Sequence, residues 1–256
     1  VACRLLPARV RGDVYLLYSV LRGLDDLVDE GHPDGPERVA AVAAWAAGSD
    51  GGAHTPEGRR LAALAERHPI DRAVVADFCD GMRTDLARGG FSSEAELDLY
   101  SYRVAGTVGI IVGQLLGMPA TPDACAAAAA LGMAMQRTTI LRDLDEDAAA
   151  GRCYVSAEAV ARFGEPRPGA RRAFVAAQIA HADALYRRGL SGIGHLPAGR
   201  SAILAAAAMY REILREIERR DGGNAPGRAV VSRRRRVSVG LRAVLRGAAP
   251  VSVPPA

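Results

Sequence analysis

The chain has 256 residues, 49% of them apolar, 24% charged and 5% aromatic. This is ordinary globular composition, which excludes a disordered chain and suffices for one domain with a sizeable core. The net charge of +4 hides an asymmetry: every basic residue is Arg, and from Gly222 onward seven Arg meet no acid, so the tail carries +7 and the first 221 residues −3.

Four cysteines (Cys3, Cys79, Cys125 and Cys153) stand far apart without a CxxC pair. That reads as reduced thiols in a cytoplasmic protein rather than a disulfide frame or zinc site. The histidines show no HExxH spacing, which argues against a His-built metal site. Apolar runs such as Ala124 to Met135 fall short of the ~18 residues that span a bilayer, and no signal peptide is visible. The first residue is Val, so the native start is expected upstream. Abundant Ala and scarce aromatics favour helices over strands. Loops are expected at Gly31 to Pro36, Gly48 to Gly58, Arg88 to Ser93, Met118 to Pro122, Gly164 to Gly169, Gly189 to Gly199 and Asp221 to Gly227. Helix-length segments between them predict an all-α domain over 1–249, with a frayed tail at 250–256.

In chain order, Asp13 to Glu30 is the first informative element. Val14, Leu17, Leu21, Leu24 and Val28 recur at helical spacing and form an apolar stripe. Tyr15, Tyr18, Arg22, Asp25 and Asp29 form a polar stripe beside it, with the two aspartates one turn apart. Next, Tyr100 to Gly109 leads into Gly109, Gly113 and Gly117. Glycine at that spacing suits close helix packing, and a bare helix face also leaves room for a long ligand. The helix expected over Leu131 to Ala149 places Gln136, Thr139, Ile140, Asp143 and Asp147 on one face, flanked by Arg142, Asp145 and Glu146. For Tyr186 a core position is expected.

Like charges one turn apart destabilise a helix by ~0.2 to 0.5 kcal/mol, which a solvated surface helix tolerates. Here both acid pairs border apolar stripes, so they belong near a core and suit facing positions in a bundle. Carboxylates converging there suit Mg²⁺, which takes hard oxygens and shares its shell with substrate phosphates. Arg22, Arg142 and Arg152 would supply planar donors to phosphate. A carboxylate-bridged di-iron site needs Glu-x-x-His pairs, which are missing.

These segments resemble the squalene/phytoene synthases. Tyr18-Ser-Val-Leu-Arg22-Gly-Leu-Asp25-Asp26-Leu-Val-Asp29 looks like their first aspartate-rich motif. Tyr100-Ser-Tyr102-Arg-Val-Ala-Gly106-Thr-Val-Gly109 is similar to their Tyr-x-Tyr-x-Val-Ala-Gly-Thr-Val-Gly segment. Ile140-Leu-Arg142-Asp143-Leu-Asp-Glu-Asp147, then Gly151-Arg152-Cys-Tyr154-Val, looks like the second motif and its trailing Gly-Arg-x-Tyr. The resemblance implies an all-α isoprenoid synthase bundle around a central cavity, with Mg²⁺ (two or three ions) held by Asp25, Asp29, Asp143 and Asp147. It implies that Tyr18, Tyr102 and Tyr210 serve the reaction, and that Arg22, Arg142, Arg152, Tyr154, Gln136, Thr139 and Arg228 bind substrate.

Two positions depart from the family pattern. Thr139 replaces an Asn whose carbonyl would coordinate metal, and Arg137 replaces an apolar residue. A Ser-x-Ser-Phe phosphate-binding stretch of the relatives would lie before Val1. The expected reaction is ionisation of a farnesyl or geranylgeranyl diphosphate, then head-to-head joining to a second prenyl diphosphate. Capture by an aromatic acceptor such as a tryptophan-derived indole, cyclisation, or a non-catalytic binding role are the alternatives. No GxGxxG follows a strand, so no nicotinamide site is expected. In the tail, Arg233 to Arg236 precede Val237, Val239, Leu241, Val244 and Leu245. This pattern suits a basic amphipathic helix on a membrane, a lid offering arginines to diphosphate, or a helix packed on the body with solvated arginines. Nucleic-acid binding is not expected, since neither a recognised module nor basic–aromatic interleaving is present.

Overall fold

The computed structural model describes residues 2–49, 54–87 and 90–247. The expected frayed tail at 250–256 lies outside the described residues, as do 50–53 and 88–89 within two of the expected loops. The helices are α1 (Ala8–Asp29), α2 (Gly35–Ala46), α3 (Pro56–Ala65), α4 (Arg72–Ala87), α5 (Glu94–Ser101), α6 (Thr107–Leu115), α7 (Pro122–Ala149), α8 (Ala157–Phe163), α9 (Arg172–Ser191), α10 (Arg200–Arg219) and α11 (Arg233–Gly247). A π-helical turn, Tyr102–Gly106, joins α5 to α6. No strand is present among the described residues, only an isolated bridge between Phe91 and Ser156.

Local chemistry starts several of these helices. Thr121 accepts from the Ala124 N–H at 3.4 Å to open α7, with Pro122 at a position that needs no N–H donor. Ser93 accepts from the Glu96 N–H at 3.2 Å, and Ser156 from the Ala159 N–H at 3.1 Å. Each such cap is worth about 1 kcal/mol. Gly164, at φ +77°, ends α8 in a conformation that a Cβ disfavours.

Helix α7 is the central element and packs against α5, α6, α9, α10 and the π-turn. Its early alanines are excellent helix formers and small enough to admit neighbours on several sides. It joins two apolar clusters. Ala124 and Ala129 belong to one, built around Leu17, Leu24, Trp45 and Ile111. Leu131, Leu141 and Leu144 belong to the other, with Phe174, Tyr186 and Leu214. Tyr186 is fully buried, its hydroxyl 3.1 Å from Thr138 Oγ1, which is the expected core role.

Close backbone approach fixes where α7 lies. A Cβ on Gly132 would stand 2.0 Å from the Ala105 carbonyl oxygen, and one on Gly109 would stand 2.3 Å from that of Ala128. Gly189 was expected in a loop, yet α9 continues through it to Ser191. The reason is contact: a Cβ there would meet that of Leu131 at 2.7 Å, so glycine serves helix packing and not a turn.

Arg137 points away from the cavity described below. It is 2% exposed and pairs with Glu94 and, at 3.2 Å, with Asp98. Ser156 and Gln178 donate to the same Glu94 carboxylate, at 2.6 and 3.1 Å. This departure from the family pattern is therefore a buried ionic tie between α5, α7, α8 and α9.

Candidate active site

A cavity of about 810 Å³ lies between α1, α4, α6, α7, α10 and the π-turn. Both long walls change character along their length. On α1, Val14, Leu17 and Leu21 give way to Asp25 and Asp29. On α7, Ala124, Ala128 and Met135 give way to Thr139, Asp143 and Asp147. From Ala128 to Asp143 the wall runs about 22 Å, with Val108 and Val112 of α6 facing the same space.

The two acid pairs line one cavity. Burial pushes the Asp25 carboxyl up to about 6, Asp29 adds to the rise, and Arg22 opposes it. Burial also raises Asp147, and the charges of Asp143 and Asp29 push it the same way. Asp29 of α1 and Asp147 of α7 thus feel each other across the cavity, although 118 positions separate them. Asp29 makes no ion pair among the described residues.

Arginines surround the other carboxylates. Arg22 reaches Asp25 at 2.7 Å and Asp26 at 2.6 Å. Arg142 forms a bidentate pair with Asp143, at 2.8 and 2.5 Å. Arg228 approaches the same Asp143 at 3.1 Å, and Arg152 meets Asp147 at 2.9 Å. All four arginines line the cavity, as do Tyr18, Gln136, Thr139, Tyr154 and Tyr210.

Tyr102 is the expected site residue that the structure does not bring to the cavity. Its hydroxyl donates to Asp77 at 2.7 Å, and its ring packs against the first apolar cluster. Tyr100 takes the cavity position instead. Its ring stacks on Tyr154 with centroids 5.5 Å apart, and Phe91 lies 5.2 Å from it. Tyr100 and Tyr102 are two residues apart and cannot share a helix face. Tyr100, Val104 and Val108 do share one, and that spacing was the signal available in the sequence.

Asp85 carried no sequence signal. It accepts from the Tyr100 hydroxyl at 2.9 Å and the Tyr154 hydroxyl at 3.3 Å. Burial lifts its carboxyl to about 6; Tyr100 opposes the rise, while Asp29 and Asp25 add to it. Arg171 was also missed. It pairs with Asp145 and donates to the carbonyls of Gly223 at 2.8 Å and Ala225 at 2.9 Å. Asp145 also accepts from the Gly227 N–H at 2.6 Å. Together they fasten the loop that delivers Arg228.

The family profile for squalene/phytoene synthase matches residues 1–235. The chain belongs to the squalene/phytoene synthase family. It is accordingly a prenyltransferase with an isoprenoid synthase helical fold. It is 39% identical to the phytoene synthase of Thermus thermophilus over 82% of this chain and 75% of that one. The 15-cis-phytoene synthase of Synechococcus elongatus is 33% identical over 84% of this chain and 77% of its own. The chain spans 59% of the chloroplastic phytoene synthase of Narcissus pseudonarcissus, at 34% identity. Among solved structures, a dehydrosqualene synthase in complex with ligand superposes with a TM-score of 0.83 at 26% identity, covering 96% of this chain and 89% of that one. These relatives favour head-to-head joining over ring capture, cyclisation or a non-catalytic role.

Proposed function

We propose that the protein ionises an allylic prenyl diphosphate of the farnesyl or geranylgeranyl class and joins it head to head to a second one, giving a squalene- or phytoene-type product. The observation that carries this reading is the cavity itself: a long apolar channel whose acidic and arginine-lined end is built from both aspartate pairs. An apolar wall of this length suits an isoprenoid tail, and the charged end suits its diphosphate.

The donor set fits a divalent cation. Hard carboxylates from two helices line one cavity end, burial and mutual repulsion lift Asp25 and Asp147, and added positive charge would relieve both. Among the described residues no group of three or more acids, histidines or cysteines is gathered closely enough to hold a metal alone. Magnesium held by Asp25, Asp29, Asp143 and Asp147 would neutralise the diphosphate as its C–O bond breaks.

The rest is work for the chain. Arg22, Arg142, Arg152 and Arg228 donate to phosphate oxygens and orient the leaving group. Gln136 and Thr139 present polar atoms at the boundary between the acids and the apolar wall. Tyr18, Tyr100, Tyr154 and Tyr210 turn rings or hydroxyls toward the cation, each ring face contributing ~0.5 to 2 kcal/mol once water is excluded. Tyr102, held by Asp77, keeps a structural place.

The test is product analysis after incubation with Mg²⁺ and farnesyl or geranylgeranyl diphosphate. A C30 or C40 product formed from two donors is expected. One donor consumed per product would overturn the reading. Asp25→Asn and Asp143→Asn should each lower turnover about a hundredfold or more while circular dichroism stays unchanged. Undiminished rates would remove those residues from the site.

A further inference from the structure

We propose that the outer face of α11 is a docking surface for an anionic phospholipid bilayer. This rests on the surface alone and is independent of the reaction. No helix among the described residues is long and apolar enough to cross a membrane, so any membrane contact through them must be peripheral.

One side of α11 is committed to the body. Gly240 is buried, and a Cβ there would lie 3.5 Å from Met209 of α10. Gly247, seven residues on, lies on the same side, where a Cβ would stand 2.4 Å from Leu204 of α10, and Arg235 reaches back to pair with Glu212 at 2.9 Å. The outward side is exposed among the described residues. Val237, Leu241 and Leu245 recur at four-residue spacing and are 42, 59 and 63% exposed, which makes a continuous apolar row. Arg242 and Arg246 each follow one of these leucines and border the row, and Arg234 stands at its head, three residues before Val237. None of these three arginines forms an ion pair among the described residues, and α11 contains no acid.

Two features select the partner. Unpaired arginines beside a leucine row match a surface that is negative at its edge and apolar just beneath. A nucleic acid would use the charge but leave the leucines in water. Another protein would have to match both the row and its charge, and a second copy would set like-charged helices against each other.

The experiment is co-sedimentation of the full chain with vesicles of phosphatidylcholine alone and of equal parts phosphatidylcholine and phosphatidylglycerol. Binding to the second and not the first is expected, weakened at least about tenfold by high salt. The pair Leu241→Gln with Leu245→Gln should lower partition by about tenfold or more, and so should Arg242→Gln with Arg246→Gln. Vesicle-free turnover and circular dichroism should match the parent for both pairs, which reports folding separately. Equal binding to neutral vesicles, binding to neither, or binding unaffected by both pairs would overturn the proposal. So would a self-association, seen by light scattering, that the leucine pair abolishes.

Discussion

Asp85 lies outside the aspartate-rich motifs, yet one carboxylate receives the hydroxyls of two of the cavity tyrosines, Tyr100 and Tyr154. The two rings are thereby held in a stack, with orientations fixed by a group that does not itself line the cavity. Asp85 is a positioning residue for aromatic faces, and small misplacements at a reacting centre are costly. Asp85→Asn should lower kcat about ten- to a hundredfold with KM for the prenyl diphosphate little changed. Steady-state kinetics checks this, and a rise in KM with constant kcat would assign the residue to binding instead. The four motif aspartates, Arg22 and Tyr18 were legible because two helical stripes announced them, whereas Arg152 and Arg228 lie in loops, and Arg228 was reached through the family resemblance. Asp85 was not, because its role depends on α4 and α5 coming together in three dimensions. Arg137 stands where the family pattern has an apolar residue. On α7 it is one residue past the cavity-facing Gln136, and that single step rotates it into the ionic tie with Glu94.

The loop between α10 and α11 shows how an element is placed by groups remote from its own sequence. Arg171, at the head of α9, is 5% exposed and holds the loop by Asp145 and two carbonyls. Asp145 lies between Asp143 and Asp147 on α7, so one short stretch of helix both builds the acidic cavity end and anchors the loop that brings Arg228 to it. Breaking a buried pair costs about 3 to 5 kcal/mol. Arg171→Met should therefore lower the melting temperature. In the folded fraction it should raise KM for the diphosphate about tenfold, with a smaller effect on kcat, because Arg228 is no longer delivered. Calorimetry and steady-state kinetics read the two effects separately. Helix boundaries set by Ser, Thr and Pro were readable in advance. The continuation of α9 through Gly189 was not, since the glycine answers to Leu131 on another helix.

Across the whole molecule, stability should respond to acid through pairs far from the cavity. Arg38 binds Glu57 through two hydrogen bonds, at 2.7 and 2.8 Å, joining α2 to α3. This partner holds the Glu57 carboxyl below its ordinary value of 4.5, with burial opposing. The contribution is fully present above that ordinary value and is lost as pH falls through the depressed one. Glu57→Gln should thus lower the melting temperature by several degrees at neutral pH, with the difference from the parent shrinking in acid. A pH-independent difference would mean that packing and not charge is responsible. A last consequence concerns how the substrate channel can diversify. Where α6 crosses α7, its side wall is main chain, with Gly109 against the Ala128 carbonyl. Calibre at that crossing is set by how closely two rods approach, and almost any replacement there would wedge them apart. The far end is bounded by Leu116, Met118 and Leu196, side chains that can be trimmed or enlarged one at a time. Selection for donors of different length can thus act on reach while bore stays constant.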